Sequence, residues 1–69
     1  MKILIVLSSR DPEIKYNAVR LGNYMLNEEH DVTIYLNGSS VDLLEGSSKR
    51  FPVDEEAKRF ALSDGVFAA

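Results

Sequence analysis

The apolar residues of this chain switch repeatedly between two spacings, and that alternation limits the folds open to it. Ile3-Leu4-Ile5-Val6-Leu7 is a continuous β-rich run, the pattern of a strand covered on both faces. Ile14, Ala18, Leu21 and Met25 then recur at four- and three-residue intervals, one stripe of a helix running to about Asn27. Val32, Ile34 and Leu36 alternate with Thr33 and Tyr35, which is strand periodicity. Ala57, Phe60 and Ala61 restore the helical interval, and Gly65-Val66-Phe67-Ala68-Ala69 reads as a last strand. The order β-α-β-α-β implies parallel strands joined by right-handed crossovers. The expected fold class is therefore α/β: a three-layer α/β/α domain with strand order 2-1-3. The first strand would be central with a helix on each face, like half of a flavodoxin-like domain.

Local chemistry agrees with these boundaries. Asp11 can cap the first helix, Pro12 suits its first position, and Glu13 suits the positive end of its dipole. Gly22 beside the stripe points to close packing of helix on sheet. Glu28-Glu29-His30-Asp31 is a polar turn. Asn37-Gly38-Ser39-Ser40 ends the second strand, and Val41-Asp42-Leu43-Leu44 has the look of a single helical turn. Gly46-Ser47-Ser48-Lys49-Arg50 reads as a flexible loop. Gly65 is placed to end the second helix in the left-handed conformation.

At 69 residues the chain is one domain, 1–69, shorter than the usual ~100–150 residues. A core this small needs a staple. With no cysteine and a single histidine, His30, neither a disulfide nor a thiolate- or histidine-rich metal site can supply it. Oligomerisation, or continuation of the domain past its carboxyl end, is the expected remedy. The third strand supports that expectation, because Val66–Ala69 would otherwise be a bare apolar edge.

The formal net charge of −3 has the wrong sign for phosphate neutralisation, so nucleic acid is not an expected partner. Lys49-Arg50 reads as a solvated loop, and Lys15/Arg20 and Lys58/Arg59 as ordinary exposed helix faces. The leading apolar run is cut short by Ser8-Ser9-Arg10-Asp11, which argues against a secretory signal. No segment approaches the ~20 apolar residues of a membrane span, and a cytoplasmic location is expected.

In an open parallel sheet with order 2-1-3, ligands bind beyond the carboxyl ends of the strands, where the order reverses. That crevice would be lined by Ser8, Ser9, Arg10, Asp11 and Ala69. No glycine stands between Leu7 and Gly22, so neither Gly-rich phosphate loop exists, and Asp11 and Glu13 occupy the helix start a phosphate would need. No nucleotide, flavin or other cofactor is expected. Ser8 and Ser9 would need a base to act as nucleophiles, and His30 belongs to the opposite end of the sheet. Arg10 is the one side chain suited to an anion, although pairing with Asp11 or Glu13 is the simpler reading. Glu28, Glu29 and Asp31 point in different directions and make a turn, not a metal site. The residues supply a fold and a place, and no catalyst.

The segment order nevertheless resembles a known family. MKILIVLSSRDPE, Asn17-Ala18-Val19-Arg20-Leu21, His30-Asp31-Val32, Asn37-Gly38 and Val41-Asp42-Leu43-Leu44 are similar to the amino-terminal part of the DsrE/DsrF-like sulfur-relay family. Asp64-Gly65-Val66-Phe67-Ala68-Ala69 looks like the strand that leads into that family's cysteine motif. The resemblance spans this chain and about the first 60% of the family's domain. It implies a three-layer domain assembling into trimers or hexamers, and a sulfur relay in which a persulfide is handed to a partner protein. The chain departs from the pattern by having no cysteine. The reactive residue would be expected just past Ala69, as in a fragment, a truncated product or a chain interrupted at a selenocysteine codon. The alternative is a non-catalytic oligomeric binding or assembly module.

Overall fold

A computed structural model describes residues 1–38 and 42–69 of the chain. The element order is β1 (Lys2–Leu7), α1 (Pro12–Asn27), β2 (Asp31–Leu36), α2 (Val53–Leu62) and β3 (Val66–Ala68). All of the strand pairs are parallel, and the α/β character read from the apolar spacing is present. Ser39, Ser40 and Val41, which the sequence assigns to a turn and the start of a short helical turn, lie outside the described residues.

The strand order is β1-β2-β3, not 2-1-3. Lys2 to Leu7 pair with Asp31 to Leu36, and Thr33 to Tyr35 pair with Val66 to Ala68. The reason lies in how α2 is anchored. The Asn23 side-chain amide of α1 donates to the Glu56 carbonyl of α2 at 3.1 Å. The buried Phe60 ring reaches the bare backbone of Gly22, where an added Cβ would sit 2.9 Å from it. The two helices therefore lie side by side on one face. Two right-handed crossovers that share a face must step the same way across the sheet. The described residues form two layers, and the expected helix on the second face is absent among them.

Burial along the strands follows this arrangement. Leu7, Val32 and Ile34 point into the core with Val19, Val53, Ala57 and Phe60, while Leu4, Val6, Tyr35 and Val66 face outward. Phe67 meets Phe60 with ring centroids 4.9 Å apart and planes tilted by 54°, a favourable offset geometry. β1, expected at the centre because of its unbroken apolar run, is an edge strand with one bare face. β2, expected at the edge, is central.

The helix starts and stops match their signals with one exchange. Asp11 Oδ1 accepts from the Glu13 amide at 2.9 Å, and Pro12 opens α1 as expected. At the end of α2, however, Asp64 and not Gly65 takes the left-handed conformation, with φ 70°. Gly65 serves a steric purpose instead, because a Cβ there would lie 2.4 Å from the Phe60 ring. The buried face of α1 is Lys15, Val19, Gly22 and Asn23. The expected stripe is displaced from the core: Ile14 is 50% and Leu21 48% exposed, with only Ala18 and Met25 partly buried.

Candidate functional site

The residues assigned to a carboxyl-end crevice are only partly brought together. Ser8 follows β1, and its Oγ accepts from the Asn37 side-chain amide at 3.3 Å. Ser9 Oγ accepts from the Asp11 amide at 3.0 Å, so Ser9 and Asp11 organise the start of α1. Arg10 is exposed and forms no ion pair with any described residue, including Asp11 and Glu13. Ala69 follows β3 and lies across β2 from Ser8, about 10 Å away at ordinary strand spacing. The chain order has no reversal among the described strands, so the switch-point argument for this place does not apply to them.

His30 stands before β2 and Ser8 after β1, at opposite ends of strands about 20 Å long. That separation excludes a relay between His30 and Ser8. His30 is half-buried rather than exposed, and its Nδ1 accepts or donates no hydrogen bond among the described residues. Among those residues no group of three or more His, Asp or Glu side chains gathers to hold a metal.

Two features of the connection from β2 to α2 escaped the sequence reading. Lys15, read as an exposed helix residue, is 1% exposed. Its Nζ donates to the carbonyls of Glu45 at 2.6 Å and Asp42 at 3.1 Å, tying the turn over residues 42–46 onto α1. The expected loose loop is also knitted. Ser47 Oγ donates to Asp54 Oδ1 at 2.7 Å and accepts from the Asp54 amide at 3.2 Å. Helix α2 lacks a side-chain cap from its own Pro52, and Ser47 supplies one from seven residues away. The Ser47 hydrogen bond, aided by the Glu55 amide, holds the Asp54 carboxyl below the ordinary carboxylate range. Arg50, read as a solvated residue, carries its guanidinium 5.3 Å from the Phe51 ring centre.

The surface that stands out is the outer face of the sheet. Leu4, Val6, Tyr35 and Val66 are 64%, 58%, 39% and 52% exposed, and the strand pairing sets them on one side. A groove of about 530 Å³ crosses the amino-terminal half of this face, with Leu4, Thr33 and Val66 among its lining. Lys2, Asp31 and Asp64 give it a polar rim of both signs. Contiguous apolar surface rimmed by polar side chains is the usual form of an interaction site. The signal is present in the sequence as the unbroken run Ile3–Leu7, which on its own equally suggests a central strand with a helix on each face.

Comparison with protein-family models, with curated proteins and with solved structures returned no match to this chain. Among the described residues no helix is long and apolar enough to cross a membrane.

Proposed function

We propose that this chain is a non-catalytic α/β binding and assembly module whose working surface is the outer face of its sheet. The carrying observation is the joint exposure of Leu4, Val6, Tyr35 and Val66 on adjacent strands. A half-covered parallel sheet is rare, since such sheets are normally buried on both faces. An apolar partner surface laid on this face would complete the second layer. The mixed rim of Lys2, Asp31 and Asp64 would orient it.

The sulfur relay implied by the resemblance needs a thiolate, and none of the 69 residues supplies one. In a relay this chain would serve as an assembling member, with another residue or subunit carrying the sulfur.

The test uses the double variant Tyr35→Lys, Val66→Lys. Both positions are solvent-facing, so the helical circular dichroism should be retained. Binding of the apolar dye anilinonaphthalene sulfonate to the native chain should fall to a small fraction of its original level. Unchanged dye binding with the fold intact would remove the outer face from consideration.

A further inference from the structure

We infer that two copies of this chain join edge to edge through β1, making one continuous six-stranded sheet around a two-fold axis at Ile5. The inference rests on the assembly-module reading and names the partner that the module takes. β1 is an edge strand six residues long, twice the length of the opposite edge β3, and among the described residues no strand pairs with its outer side, that of the Lys2, Leu4 and Val6 backbone. Such an edge is a template for pairing.

The helix above it is prepared for the same event. Leu21 lies two residues from Asn23, about 200° round the helix, and Asn23 faces α2. Leu21 and Ile14, two turns apart, therefore point away from α2 and over the free edge of β1, at 48% and 50% exposure. An isologous contact requires one surface to be complementary to itself. Centred on Ile5, antiparallel pairing sets Ile5 against Ile5 of the second copy, Ile3 against Leu7 and Leu4 against Val6. Lys2 then meets Ser8. Every apolar residue of the strand thus meets another, on the correct face.

The spacing of the helices also fits. A crossover helix sits above the gap between the strands it joins. Pairing at about 4.8 Å would put the α1 axes of the two copies about 10 Å apart, an ordinary helix-packing distance. Ile14 and Leu21 of both helices would be covered at once. The helices would run antiparallel, with dipoles opposed, and Arg10 at one end would lie beside Glu28 and Glu29 of the second copy. The outer sheet face stays open and is doubled in width.

The chain has no cysteine, so a single engineered thiol reports the seam cleanly. Antiparallel partners directly opposite have Cα atoms about 4.5–5.5 Å apart, within disulfide range. Under mild air oxidation Ile5→Cys should cross-link to a species of twice 7.7 kDa, while Ser63→Cys, exposed and off the seam, should not. Adding Ile14→Glu and Leu21→Glu should slow the cross-link about tenfold or more, because like charges would face each other. Equal rates at the two cysteine positions, insensitivity to the glutamates, or sedimentation of the unaltered chain as a monomer, trimer or hexamer would each overturn the inference. Tyr35→Lys, Val66→Lys lies off the seam, so the dye result can survive failure of the dimer and can fail while the dimer stands.

Discussion

Burying a lysine normally requires a carboxylate, yet Lys15 reaches 1% exposure with two backbone carbonyls as acceptors. Bonds from an ammonium to neutral oxygens are worth about 1.5–3 kcal/mol each, and the loss is smaller where water can replace the donor. Lys15→Met keeps the packed stem and removes the ammonium. It should lower stability to urea by about 2 kcal/mol and speed amide exchange at Leu43 and Glu45. An unchanged midpoint would show that the turn is held without it. Nothing in the sequence announced this role, because a lysine four residues after Asp11 fits an exposed helix face equally well. The use of Gly65 was hidden for a similar reason. Its value lies in the position of the Phe60 ring, which only tertiary structure fixes.

At the scale of elements, the types and order of all five and the start of α1 were legible, since Asp11-Pro12-Glu13 and the period-two alternation of Val32–Leu36 act locally. The orientation of α1 was not. Its apolar residues outnumber those a single face can bury, and packing chose Val19 and Gly22 over Ile14 and Leu21. The cap of α2 was invisible because Ser47 stands far outside the usual capping window. That cap makes a pH prediction. The lowered Asp54 carboxyl favours the folded clip while ionised, so its contribution is complete above the ordinary carboxylate range. It is lost as pH falls through the lowered folded value. In an NMR titration, Ser47→Ala should raise the Asp54 midpoint toward the ordinary range, and the Asp54 amide should become exchange-labile. A midpoint unmoved by Ser47→Ala would mean that the hydroxyl is not the cause.

For the whole molecule, the unbroken run Ile3–Leu7 supports two arrangements: a central strand covered by helices, or an edge strand with one face kept for a partner. The same five residues suit both, and only the anchoring of α2 beside α1 decides between them. The candidate site shifts with that choice. Order 2-1-3 directs attention to Ser8, Ser9, Arg10, Asp11 and Ala69, whereas order β1-β2-β3 exposes Leu4, Val6, Tyr35 and Val66. Both the proposed working face and the dimer seam depend on β1 lying at the edge. The most direct measurement is therefore a set of interstrand nuclear Overhauser contacts on the isotope-labelled chain. Backbone contacts are expected between Thr33 and Val66 and between Tyr35 and Ala68, with none linking β1 to β3. Contacts between Leu4 or Val6 and Phe67 through adjacent backbones would place β1 at the centre and contradict the open outer face of the sheet.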